Sequence, residues 1–262
     1  MKFGICTSFR EVQALDEITF DYLEESVQRF LIPEKPHEDF ADRLRDARNI
    51  SIPIEAVNSF LPADLLLVET PQQPIDRVRI QRYVQTALQR AEQVGIRVIV
   101  FGSGAARKSP PGYDIANANR QILDHLATWS GWARNHGVTI VLEPLQYAET
   151  NTFNTVAESG TAVSTIADSG ARLLADTYHM ACNDEDPTTI VPWSSLLTHV
   201  HVAEQQDRAA PGTHGEDFRP YFSALHHANY DQRVSIECRW RNFVAEVGPA
   251  ITVLEEQWAT SA

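Results

Sequence analysis

The chain has 262 residues, with 22 Lys or Arg against 35 Asp or Glu, a formal charge of −13 and 43% hydrophobic residues. This is an ordinary globular composition, and the length suffices for one large core. No apolar run approaches the roughly 18 residues that span a bilayer, and the opening MKFGICTSFREVQALDE meets charged residues too early for a secretion signal.

Cys6, Cys182 and Cys238 form no CxxC pair, so neither a disulfide framework nor a zinc ribbon is suggested, and a cytoplasmic location is expected. Lys and Arg are scattered through an acidic chain, which would repel phosphate backbones and anionic lipid. Nucleic acid and membranes are therefore not expected partners.

Short β-rich segments alternate with longer helix-period segments from end to end, the pattern of βα units with a parallel sheet. The candidate strands are Lys2 to Cys6, Phe20 to Glu24, Pro53 to Asn58, Arg97 to Gly102, Val138 to Glu143, Arg172 to Asp176, Leu197 to Val202 and Val234 to Cys238. Ahead of the fourth, Tyr83, Val84, Ala87, Leu88, Ala91 and Val94 make a helical stripe that Gly95 stops. Ahead of the fifth, Ile122, Leu123, Leu126, Trp129 and Ala133 repeat the arrangement, with His136 in the last turn and Gly137 at the end. No linker divides the chain. The fold expected is α/β, a single (β/α)8 TIM barrel over residues 1–262.

Proline and glycine punctuation falls after strands, at Phe60-Leu61-Pro62, Gly102-Ser103-Gly104, Pro110-Pro111-Gly112 and Pro211-Gly212-Thr213-His214-Gly215. In such a barrel these are the loops of the catalytic face. Gly102-Ser103-Gly104 with Arg107, or Gly212 to Gly215, could hold an anion on backbone N–H groups; turns needing positive φ explain the glycines without one. Phe9, Phe60, Trp193 and Trp240 are candidates either for a pocket wall or for the core.

The apolar strands end in polar residues. Val138 to Leu142 runs into Glu143, Arg172 to Ala175 into Asp176, Leu196 to Val200 into His201, and Val234 to Ile236 into Glu237. Neighbouring parallel strands bring their ends together, so these four side chains can converge. Three carboxylates and an imidazole form a hard donor set that favours Mn²⁺ or Mg²⁺ and accepts Co²⁺, Fe²⁺ or Zn²⁺. His199, two residues before His201, falls on the same side of the strand one layer deeper and reads as a structural histidine in preference to a ligand.

At these residues the sequence resembles the sugar phosphate isomerase/epimerase superfamily of xylose isomerase-like TIM barrels, and within it the ketose 3-epimerases of the D-tagatose and D-psicose type. The resemblance extends from Ile54 to Trp240. It is carried by Leu142-Glu143-Pro144-Leu145 with Glu149-Thr150-Asn151, by Asp176-Thr177-Tyr178-His179-Met180, by His199-Val200-His201-Val202 with Glu204 and Arg208, and by Ile236-Glu237. It implies metal ligation by Glu143, Asp176, His201 and Glu237, with Glu143 and Glu237 also the catalytic proton-transfer pair. It implies further that Glu149, His179 and Arg208 hold substrate hydroxyl groups, that the substrate is a small carbohydrate, and that the protein is a homo-oligomer. The stretch from His201 to Arg208 is one residue longer than in those epimerases, which leaves the direction of Arg208 open.

The chemistry fits the residue types. Abstraction of a proton next to a ketose carbonyl needs a base, a divalent cation to stabilise the cis-enediolate, and a second carboxylate on the opposite face to return a proton. The expected activity is that of a metal-dependent sugar isomerase or epimerase. The alternatives are a metal-dependent lyase or dehydratase acting through the same enediolate, a non-catalytic sugar-binding module, and an endonuclease IV-like repair enzyme, which would need more histidines and a less acidic surface.

Overall fold

The computed structural model describes residues 1–261, and in it eight parallel strands close into a barrel in sequence order. The strands are β1 (Lys2–Cys6), β2 (Tyr22–Ser26), β3 (Ile54–Asn58), β4 (Val98–Phe101), β5 (Thr139–Leu142), β6 (Arg172–Asp176), β7 (Leu197–Val202) and β8 (Arg233–Ile236). β1 pairs with both β2 and β8, so no edge remains open. The expected (β/α)8 architecture is the one observed.

The helices in chain order are α1 (Phe9–Val12), α2 (His37–Ala47), α3 (Arg77–Val94), α4 (Gly104–Arg107), α5 (Ile115–Arg134), α6 (Val156–Ser164), α7 (Thr177–Cys182), α8 (Arg219–His227) and α9 (Phe243–Ala259). The long ones start where a side chain satisfies a free backbone donor. Asp76 accepts from Arg79 N, Asp114 from Asn117 N and Thr155 from Glu158 N. Gly95 ends α3 at φ 93°, a left-handed cap that other residues adopt only with strain. The stripe Tyr83, Val84, Ala87, Leu88 and Ala91 is buried against the strands, as is that of Ile122, Leu126, Trp129 and Ala133. His136 lies just beyond α5 and pairs with Glu92 instead.

Strand alternation sends every second residue inward. The inward cluster Tyr22, Ala56, Val98, Val100, Val141 and Leu174 plugs the barrel below the C-terminal ends of its strands and is separate from the apolar layer between strands and helices. Gly4 belongs to this level because a side chain there would overlap the Tyr22 ring.

The second strand departs from expectation, running from Tyr22 to Ser26 instead of from Phe20 to Glu24. Its Glu24 and Glu25 are buried and satisfied, Glu25 by Phe9 N and Ser26 N. Their polarity hides a strand that tertiary hydrogen bonds make tolerable. Among the described residues, no helix is long and apolar enough to cross a membrane.

Candidate active site

The next inward level up the barrel collects ionisable groups. Glu143 and Glu237 stand one residue past β5 and β8, Asp176 closes β6, and His201 lies across the ladder from Asp176 on β7. One donor atom from each of the four lies within 4.8 Å of all the others. His201 Nδ1 is 3.2 Å from Glu143 Oε1 and 3.2 Å from Glu237 Oε2. The four side chains expected to converge are thus brought together.

Local structure orients Asp176 and Glu237. Asp176 caps α7, its Oδ1 accepting from Tyr178 N at 2.8 Å and His179 N at 3.3 Å, which leaves Oδ2 for the cluster. The same cap turns His179 back over the barrel mouth, Nε2 3.6 Å from Asp176 Oδ2. His179 Nδ1 accepts from Gln146 N at 3.2 Å, so its Nε2 faces the cavity side as the donor. Asn58 donates to Glu237 Oε1 at 2.8 Å.

Arg208 points inward. Its Nε donates to the Glu237 carbonyl at 3.0 Å, and one terminal nitrogen reaches Asp176 Oδ2 at 3.2 Å and Glu237 Oε2. The guanidinium lies over the Tyr178 ring, 4.6 Å from its centroid. The backbone is left-handed at Asp207 (φ 63°) and Arg208 (φ 52°), where the chain turns this side chain inward. Glu149, exposed on the β5 loop and held by Gln146 Nε2 at 3.0 Å, lines a cavity of about 170 Å³ together with His179, Arg208, Glu143 and Glu237.

The two glutamates titrate in opposite directions. Burial, reinforced by the charge of Glu237 and only partly offset by His201, raises Glu143 above the usual carboxylate range. Burial also works upward on Glu237, but the charges of His201 and Arg208 outweigh it and hold the group at about 2.

For several other residues the sequence left two readings open, and the structure separates them. Arg107 binds no surface anion: it is wholly buried between Phe101 and Phe153 and donates to the Glu143 carbonyl at 2.8 Å. The glycine ahead of it is needed for closeness, because a side chain at Gly102 would overlap Glu143 Oε2. The backbone N–H groups of Gly212, His214, Gly215 and Glu216 already bind an anion, the buried side chain of Glu204. Phe60 packs on Phe101 and Trp129 in the core, and Trp193 covers Gly160. Phe9 and Trp240 line a separate open groove of about 1070 Å³ beside the mouth.

Sequence reasoning passed over Asn58, Tyr178 and Glu24 as site residues. Two signals could have found Glu24: it closes the expected strand Phe20 to Glu24, and its even spacing from Tyr22 puts both on one strand face.

An eight-stranded barrel with carboxylates and a histidine gathered at the C-terminal ends of its strands defines a class of enzyme-like α/β barrels. Residues 12–260 match the family described as xylose isomerase-like TIM barrel, and the chain belongs to that family. It is 28% identical over 129 residues to a ketose 3-epimerase of Arthrobacter globiformis, covering 48% of this chain and 44% of that protein. It is likewise 28% identical over 123 residues to the 3-dehydro-D-guloside 4-epimerase of Escherichia coli, covering 47% of each. The matched stretch thus spans less than half the length of either relative. In structure it is similar to a D-allulose 3-epimerase from Methylomonas sp. in complex with D-allulose, with a TM-score of 0.81 at 18% identity over 98% of this chain and 97% of that one. That likeness establishes the fold.

Proposed function

We propose that this chain is a divalent-metal-dependent isomerase or epimerase of a small sugar or sugar derivative. The observation that carries the reading is the convergence of Glu143, Asp176, His201 and Glu237 on one point at the edge of a sugar-sized cavity. The donor chemistry fits a cation: three carboxylates and an imidazole concentrate negative charge, and the Arg208 guanidinium is already drawn to it. Glu143, Asp176, His201 and Glu237 would hold Mn²⁺ or Mg²⁺, with Co²⁺, Fe²⁺ or Zn²⁺ as substitutes. When bound, the cation would supply positive charge to an oxyanion developing at a substrate carbonyl.

The chain's own residues do the rest. Glu143 and Glu237 reach the cavity from the ends of β5 and β8, with β6 and β7 between them, and in this reading one takes a proton from the carbon beside the carbonyl while the other returns one to the opposite face. The intermediate is a cis-enediolate of the sugar. His179, Arg208 and Glu149 offer two donors and an acceptor to hydroxyl groups and fix which carbon lies between the glutamates. The parallel with the epimerases above supports a carbohydrate substrate.

The test is proton NMR of ketohexoses, ketopentoses, inososes and keto acids in D₂O with the enzyme and Mn²⁺, against a chelator-stripped control. Deuterium uptake next to a carbonyl is expected with Mn²⁺ and lost on stripping, and the labelled carbon separates 3-epimerisation from aldose–ketose isomerisation. Loss of water or of a fragment would turn the assignment to a lyase, and silence with Mn²⁺ demonstrably bound would sink it.

A second expectation comes from the contact at Gly102. Gly102→Ala should push the Glu143 carboxylate aside and weaken Mn²⁺ binding by roughly 10- to 100-fold, with little change in thermal stability. Calorimetric titration of Mn²⁺ into the variant checks it; affinity equal to wild type would show that Glu143 lies outside the metal site.

A further inference from the structure

One more carboxylate lies inside the barrel, and the reading above leaves it without a role. Glu24, on β2, is completely enclosed, and each of its oxygens meets a different histidine. Oε1 is 3.0 Å from His201 Nε2, and Oε2 is 2.7 Å from His199 Nε2. Ser235 Oγ donates to Oε2 at 2.7 Å, and Tyr22 OH stands 2.7 Å from that Ser235 oxygen. With its proton committed to Glu24, Ser235 accepts from Tyr22. His199, His201 and Ser235 thus each present a donor to this one carboxylate, and Tyr22 supports Ser235 from behind.

This arrangement determines which face of His201 is free. An ionised carboxylate only accepts hydrogen bonds, so the contact with Glu24 keeps a proton on Nε2. Nδ1, on the other edge of the ring, is the atom turned toward Glu143, Asp176 and Glu237. Without Glu24, an imidazole exchanges its proton between the two nitrogens and gains freedom to turn in its slot. A purely structural partner for the buried His199 would have needed only one of the two oxygens.

We propose that Glu24 is a positioning residue that holds His201 in its Nε2-protonated form and so presents Nδ1 as the ligand atom to the divalent cation. The device reaches down the barrel through Ser235 and Tyr22 to Gly4, whose missing side chain makes room for the Tyr22 ring. A carboxylate behind a ligating imidazole both orients the ring and makes it a better donor. The proposal rests on the reading of His201 as a ligand.

Two measurements on the full chain test it. In ¹⁵N-histidine-labelled wild-type protein loaded with Zn²⁺, ring-nitrogen NMR should show His201 protonated on Nε2 and metal-bound through Nδ1. Calorimetric titration with Mn²⁺ should show Glu24→Gln binding 10- to 100-fold more weakly than wild type, with the thermal midpoint reported alongside. A proton on Nδ1 of His201 in the wild type overturns the proposal even if the variant does not fold. So does wild-type Mn²⁺ affinity in a folded Glu24→Gln protein. His201→Ala is the control for the underlying reading: retained Mn²⁺ affinity there removes His201 as a ligand, and the proposal with it. Lost affinity in His201→Ala beside unchanged affinity in Glu24→Gln rejects the role of Glu24 alone.

Discussion

Replacing Glu237 by Gln is expected to lower turnover by roughly 10²- to 10⁴-fold while the barrel stays folded. The change is isosteric, so contacts such as that from Asn58 Nδ2 to Oε1 can persist. What disappears is the negative charge that faces His201 Nδ1 at 3.2 Å and Arg208, and with it a metal ligand and a proton carrier together. Steady-state kinetics on the substrate found by deuterium exchange, with thermal unfolding as the control for folding, measure both halves of the expectation. A non-catalytic sugar-binding module would keep its ligand affinity nearly unchanged in this variant. Wild-type turnover in the variant would refute the assignment of the glutamate pair.

Glu204→Ala should produce the largest loss of stability among single changes at the mouth of the barrel. Glu204 is buried, and its Oε1 accepts from Gly212 N at 2.9 Å, Gly215 N at 3.1 Å and Glu216 N at 3.4 Å, while Oε2 accepts from His214 N at 2.6 Å. Truncation leaves these backbone donors without a partner, and Gly212 and Gly215 are held at φ 89° and 81° by the same turn. A loss of roughly 3–6 kcal/mol is expected, part of the cost being relieved as the loop opens to water. Urea denaturation at fixed protein concentration gives the number. A shift below about 1 kcal/mol would mean that the loop finds other acceptors and that Glu204 does not organise it.

The loop around Glu204 also shows how a motif can be read correctly as anion-binding and wrongly as a ligand site. Gly212-Thr213-His214-Gly215 looks, in one dimension, like a place for a phosphate. The residue that occupies it lies eight positions before Gly212, a partner that only folding supplies. Arg107 teaches the same lesson. A cation beside two glycines suggests an exposed anion site, but the chain turns it inward to hold the backbone of Glu143.

Periodicity and punctuation were enough for the architecture, because βα alternation depends on local hydrophobic patterning and on caps such as Gly95, both written in contiguous residues. The four strand-end residues were legible for a related reason: a polar residue that closes an apolar strand of a barrel has one place to go, the C-terminal mouth. Burial of Glu24 and Glu25, the inward turn of Arg208 and the tautomer of His201 depend instead on partners from distant strands. Glu24 meets His199, His201 and Ser235 across separations of 175, 177 and 211 residues. No local pattern encodes such meetings, since a buried carboxylate and a solvated one look alike in a sequence until closure of the barrel brings their donors together.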